Sequence, residues 1–129
     1  MSGKIVLDTN IVIALFAQET AVEDRFLQTS EIFLPSIVIG ELYFGAYKSQ
    51  RIDANLQRIT EFAKKNVVLV CDQETAQIYG SIKRTLHAKG KPLPENDIWI
   101  AALALQYDLP LATRDDHFQA IPDLRIENW

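Results

Sequence analysis

The sequence predicts an α/β fold, with helices flanking a parallel β-sheet on both faces. Three observations carry that prediction. Strand-like and helix-like runs alternate along the chain, as they do when parallel strands are joined by crossover helices. Three of the strand runs are apolar throughout instead of alternating, the pattern of strands covered on both sides. The 129 residues can bury one real core but not two, so 1–129 reads as a single domain.

The first strand is Lys4-Ile-Val-Leu-Asp8, which leads at once into an apolar helix over 11–17. The polar stretch from Gln18 to Arg25 continues as helix to about Thr29. Ile32-Phe-Leu34 is a second short strand, stopped by Pro35, and Ser36 offers a cap for a helix running to about Lys48. Another helix covers 52–65, with Ile52, Leu56, Ile59 and Phe62 at three-to-four spacing on one face. Val67-Val-Leu-Val70 is the most strand-like run of all, rich in β-branched residues. A long helix spans 73–88 and ends at Gly90, a loop occupies 91–94, and a helix runs from Asn96 to about Tyr107. Strands at 110–113 and near 124–127 complete the pattern. Gly and Pro are scattered as punctuation, with no repeat, linker or low-complexity tract.

Composition narrows the function classes. The 48% hydrophobic and 23% charged content is that of an ordinary soluble globular protein. A net charge of −4 argues against nonspecific coating of nucleic acid. It does not argue against a nuclease, whose acidic site contributes several of those charges. Cys71 is the single cysteine, which excludes an internal disulfide and any thiolate-rich zinc site. The longest apolar runs, 98–105 and 11–17, fall far short of the roughly 20 residues of a membrane-spanning helix. The first residues lack the layout of a signal peptide. The expectation is a cytoplasmic protein without a membrane partner.

Four acids, Asp8, Glu41, Asp97 and Asp115, sit where the fold could gather them. Asp8 and Asp115 follow strand runs, and ligands of open α/β sheets bind outside the carboxyl ends of the strands. Clustered carboxylates repel: two charges 4 Å apart at an effective dielectric near 20 cost about 4 kcal/mol. A proton, a base or a metal ion must offset that cost, so a divalent-metal site is the first hypothesis.

Each acid also has a plain structural explanation. Asp8 could cap the helix that follows it, or Thr9 or Asn10 could cap while Asp8 binds. Glu41 lies in a helix apolar nearly all round, between Gly40 and Gly45, where another backbone could approach closely. Burying a carboxylate there is costly unless something meets it; the alternative is that it points to solvent. Asp97 sits in a first helical turn, where acids favour the helix dipole and Asn96 is a good cap. Asp115 and Asp116 occupy a polar turn, and Asp115, nearer the strand end, is the favoured site residue. His117 could serve as a ligand, but a lone histidine beside an aromatic reads first as a packing or hydrogen-bonding residue, and His87 reads the same way. Residues 75–94 contain no acid but hold Lys83, Arg84, Lys89 and Lys91, a local positive face suited to phosphates or simply to solvent.

Taken in order, four segments resemble the PIN domain, and within it the toxins of VapBC toxin–antitoxin systems. They are Ile5-Val-Leu-Asp8-Thr-Asn10, Pro35-Ser-Ile-Val-Ile-Gly-Glu41-Leu, Asn96-Asp97-Ile-Trp-Ile-Ala-Ala, and Leu111-Ala-Thr-Arg-Asp115-Asp-His-Phe118. The last is the most distinctive. The resemblance implies a metal-dependent endoribonuclease, inhibited by a cognate antitoxin that blocks its acidic cleft, and often homodimeric. It carries the acidic site onto Asp8, Glu41, Asp97 and Asp115, supported by Thr9, Asn10 and Thr113, with Asp116 as an ambiguity beside Asp115. Oxygen-rich sites suit hard cations, so Mg²⁺ or Mn²⁺ is expected, with Asp8 and Asp97 as direct ligands. Glu41 and Asp115 would hold water or a second ion, and Lys83, Arg84 or Arg114 would touch the RNA backbone.

Three other readings compete. A phosphorelay receiver would use Asp72, after the strand at 67–70, as its phosphate acceptor and Lys91-Pro92 as its lysine motif. A haloacid dehalogenase-type phosphatase needs Asp-x-Asp where this chain has Asp8-Thr9-Asn10. A catalytically silent protein-binding module would keep the acids without using them.

Overall fold

The computed structural model describes residues 2–129. Its strands are β1 (Ser2–Leu7), β2 (Thr29–Pro35), β3 (Val67–Leu69), β4 (Leu111–Ala112) and β5 (Ile126–Glu127). The helices among the described residues are α1 (Thr9–Phe16), α2 (Thr20–Gln28), α3 (Ser36–Tyr47), α4 (Ile52–Lys64), α5 (Gln73–Ala88) and α6 (Glu95–Gln106). A 3₁₀ helix, Asp116–Ala120, follows β4.

The five strands are all parallel, in the order β3-β2-β1-β4-β5. The central strand shows how the core is built. Ile5, Val6 and Leu7 are 2%, 0% and 0% exposed, and successive strand residues point to opposite faces. Both faces of the sheet are therefore covered, as the apolar run in the sequence demands. Around the sheet, α1 packs on α2 and α3, α3 packs on α4 and α6, and α5 packs on α6. The helix α6 supplies the most continuous buried stretch, Ile100 to Ala104.

The ends of the elements differ from the sequence reading in ways that have physical causes. The first strand stops at Leu7, and Asp8 leaves it to become the N-cap of α1, which starts at Thr9. Neither Thr9 nor Asn10 caps. Ser36 and Asn96 do not cap either: Pro35 and Pro94 stand at the N-cap positions, with no side-chain cap bond. Their fixed φ and extended ψ hold the carbonyl where it accepts the first helical bonds, as in Asp97 N–H to the Pro94 carbonyl at 3.0 Å. The strand at 67–70 is not a buried run. It lies at the sheet edge, and Val68 and Val70 are 40% and 60% exposed. Ile52, 40% exposed, drops out of the apolar face of α4, while Leu56, Ile59 and Phe62 meet the core.

The termini of α5 match expectation closely. Asp72 caps its start, with a reciprocal bond between its carboxylate and Thr75. At its end Gly90 adopts φ +64°. This lets Lys91 N–H bond the Leu86 carbonyl at 3.0 Å and Gly90 N–H the His87 carbonyl at 3.1 Å.

Candidate functional site

The strand order turns at β1, with β2 and β3 on one side and β4 and β5 on the other. The crevice outside the carboxyl ends of β1 and β4 is therefore the topological switch point, where open α/β sheets bind ligands. Asp8 follows β1 directly and Asp115 comes shortly after β4. Glu41 reaches in from α3, and Asp97 from the first turn of α6. Together with Thr9, Asn10 and His117 these side chains line a cleft of about 590 Å³.

Asp8 is the deepest of them, at 3% exposure. Its Oδ1 accepts the Thr9 N–H at 2.8 Å, the capping bond, and its Oδ2 accepts the Thr113 hydroxyl at 2.7 Å. Thr113 is fully buried and works in two directions, since its Oγ1 also accepts the Asp115 N–H at 3.0 Å. One hydroxyl thus fixes the carboxylate after β1 and the backbone after β4. Thr9 donates its hydroxyl to Glu41 Oε1 at 2.7 Å, so Glu41 is turned into the cleft. The Asn10 side chain ties down the β4 loop, donating to Asp115 Oδ2 at 3.3 Å and accepting the Arg114 N–H at 3.4 Å.

At the mouth of the cleft, His117 Nε2 lies 2.8 Å from Asp97 Oδ2. One donor atom each from Asp97, Asp115 and His117 falls within 4.8 Å of the others. The histidine is carried by the 3₁₀ helix, which the buried Phe118 anchors in the core.

The electrostatics show what this arrangement costs. Burial pushes the Asp8 carboxyl up to about 6, against the bonds from Thr113 and Thr9, with Asp97 and Asp115 adding repulsion. Burial also raises Asp97, against its bond to His117, and Asp115 and Glu41 add to the rise. No buried side-chain polar atom among the described residues lacks a partner. The strain is that of carboxylate charge taken out of water, to which neighbouring like charge adds, with hydrogen bonding already satisfied. A cation relieves it, and the donor set of carboxylate oxygens with one imidazole fits a divalent ion of octahedral habit.

The family model of the PIN domain matches residues 5–124. The chain belongs to the PIN domain family. Within it the chain is a VapC ribonuclease toxin of the VapBC type. It is 36% identical to Ribonuclease VapC2 of Haemophilus influenzae, with 98% of each chain covered. It is 35% identical to the tRNA(fMet)-specific endonuclease VapC of Salmonella typhimurium, again over 98% of each. The crystal structure of DNA-bound VapBC from Salmonella typhimurium superposes with a TM-score of 0.90 at 34% identity, covering 100% of this chain and 99% of that one. VapBC2 from Rickettsia felis, bound to a promoter DNA fragment, gives 0.90 at 26% identity and 98% coverage of both.

The four acids singled out in the sequence come together from four separate elements, and Asp116, exposed at the start of the 3₁₀ helix, does not line the cleft. The close approach expected at glycines 40 and 45 is not made among the described residues, since a Cβ at either would meet nothing within 4 Å. Nor is α3 apolar all round in effect. Phe44 and Tyr47 are each 63% exposed, so its apolar surface is only half used by the core. Arg114 turns its guanidinium away from the cleft, to Glu19 at 2.7 Å. Lys83 forms an ion pair with Glu95, a cleft-lining residue, and also contacts the Tyr79 hydroxyl. What the residue pattern left out is the proximity of His117 to Asp97, because a lone histidine beside an aromatic carries no periodic signal.

The receiver reading fails on topology and on local bonding. Receivers have the order 2-1-3-4-5, which sets the third strand beside the first; here β3 is at the edge with β2 between. Asp72 is engaged as a cap by Thr75 and held by Gln106 at 3.0 Å. No helix among the described residues is long and apolar enough to cross a membrane.

Proposed function

We propose that this ribonuclease hydrolyses RNA phosphodiester bonds with Mg²⁺ or Mn²⁺, held by Asp8 and Asp97 with Glu41 and Asp115 around it. The observation that carries the reading is the buried Asp8 carboxyl, raised to about 6 amid like charges at the switch point. A fold that sets such a charge beside three more acids is built for a cation. A divalent ion there would supply Lewis acidity, polarising a phosphate oxygen and acidifying water. The chain's residues do the rest. Thr113 and Thr9 fix the carboxylates of Asp8 and Glu41, Asn10 fixes Asp115, and Glu41 or Asp115 accepts the proton of the attacking water.

Substrate and partner follow from the surroundings of the cleft. Lys83 and Arg84 on α5 would grip the phosphate backbone, Lys83 by exchanging Glu95 for a phosphate. Arg114 is assigned to holding the β4 loop through Glu19, in place of RNA contact. The similarity to a tRNA(fMet)-specific relative makes a transfer RNA the substrate class we favour. A groove lined by Ile13, Phe16, Leu42 and Ile59 shares Ile13 and Glu41 with the acidic cleft. An antitoxin with an apolar segment would dock there and close the cleft.

The test is incubation of total cellular RNA with antitoxin-free protein, with Mg²⁺, with Mn²⁺ and with a chelator, beside Asp97→Asn. Discrete fragments that vanish with the chelator and in Asp97→Asn are expected, and end mapping would give the site. Cleavage that survives both, or folded metal-bound protein that cuts nothing, would overturn the reading.

A further inference from the structure

We propose that His117 is a nitrogen ligand of the metal in this site, through Nε2 and beside Asp97 and Asp115, and that it tilts the centre from Mg²⁺ towards transition ions such as Mn²⁺. The inference rests on the reading of the cleft as a divalent-metal site and adds a donor that the acidic motif does not contain.

The geometry points this way in three respects. Cis ligands of an octahedral ion bound at about 2.1 Å stand about 3 Å apart. His117 Nε2 and Asp97 Oδ2, 2.8 Å apart, already form such an edge. Asp115 offers an oxygen within 4.8 Å of both, near enough to cap the edge by a small shift of its side chain. The backbone of that loop is fixed: Phe118, next to His117, is fully buried, and the Asp115 N–H is held by Thr113. The imidazole itself is 39% exposed on its side chain, so an ion can reach it from the mouth of the cleft. On binding, the ion takes the place of the hydrogen shared by Nε2 and Oδ2, which passes to solvent. Among the described residues Asp97 is the one hydrogen-bond partner of Nε2, and the Phe118 ring lies beside the imidazole at 5.0 Å between centroids.

An all-carboxylate centre has little ground for discrimination between Mg²⁺ and Mn²⁺. An imidazole donor changes that, because nitrogen ligation gains more with a first-row transition ion than with Mg²⁺. His117 would therefore set metal preference, while the carboxylates set affinity for divalent ions in general.

The experiment is pulsed electron paramagnetic resonance of the full chain loaded with one equivalent of Mn²⁺, with and without ¹⁵N-histidine labelling, beside His117→Gln. The sequence has only two histidines, and His87 lies on α5 away from the cleft lining. A histidine nitrogen coupling in the wild type that shifts with the label and is lost in His117→Gln is expected. Mn²⁺ affinity should fall about tenfold or more in the variant, with Mg²⁺ affinity changed by much less. Bound Mn²⁺ without nitrogen coupling, or coupling retained in His117→Gln, overturns the ligand assignment and leaves the metal reading standing. Folded protein that binds no Mn²⁺ overturns both.

Discussion

Asp8 and Asp72 obey the same local grammar and end as opposites. Each follows a strand of the same sheet, each has an extended backbone, and each caps the helix behind it with its own carboxylate. Asp72 lies exposed at the end of the edge strand β3. The Thr75 N–H, the Gln106 side chain and further donors hold its carboxyl below the usual range. Asp8 ends the central strand, is buried, and faces Asp97 and Asp115; its carboxyl is pushed up to about 6. Both acids cap a helix. Only one is surrounded by charge of its own sign. The difference teaches that an N-cap becomes a functional site through what the topology sets opposite it.

The largest effect that can break this comparison is on activity. Asp8→Asn should lower RNA cleavage by about a hundredfold or more, whereas Asp72→Ala should leave the rate per folded molecule unchanged. Gel-resolved initial rates on a transfer RNA pool decide it; equal losses in both would make the two acids equivalent.

Stability should move the other way. Asp8 titrates near 3.8 in the unfolded chain and at about 6 in the fold, so the native state favours the protonated acid. That preference is fully present below the unfolded value and is lost as pH rises through about 6. A gap of about two units corresponds to about 3 kcal/mol. Metal-free Asp8→Asn should therefore be more stable than the wild type at pH 7.5, by up to about 3 kcal/mol, and the advantage should shrink on acidification to pH 5. Urea unfolding at the two pH values checks the sign, and an advantage that grows with acidity would contradict it.

Removing the support of Asp8 is the next test in size. Thr113→Val deletes a bond to a buried charge and a bond from Asp115 N–H, and should cost about 2 kcal/mol. It should also reduce cleavage, since both acids lose their common anchor. The smallest effect belongs to the exposed cap. Asp72→Ala should lower the melting temperature by a few degrees, independent of added Mn²⁺, because Asp72 is remote from the cleft.

The comparison also marks how far the sequence could be read. Asp8 and Asp115 were legible because strand ends announce themselves, and Glu41 because an acid in an apolar helix needs a reason. The local cap geometry was less so. Ser36 and Asn96 have good capping side chains, but the prolines before them already occupy the cap, a choice made by backbone geometry. The edge position of β3 depends on strand order, which apolar runs do not encode. The double duty of Thr113 depends on β1 meeting β4 across 105 residues, and the place of His117 on the turn after β4 meeting α6 across 20. No local pattern carries such a meeting.

The central claim is that the buried charge of Asp8 is kept for a cation. A calorimetric titration of Mn²⁺ into metal-free wild-type protein at pH 7.5, beside Asp8→Asn and Asp72→Ala, tests it most directly. Saturable binding in the wild type, equal in Asp72→Ala and weakened about tenfold or more in Asp8→Asn, is the predicted result. Binding that Asp8→Asn leaves untouched, or none in folded wild-type protein, would contradict the account.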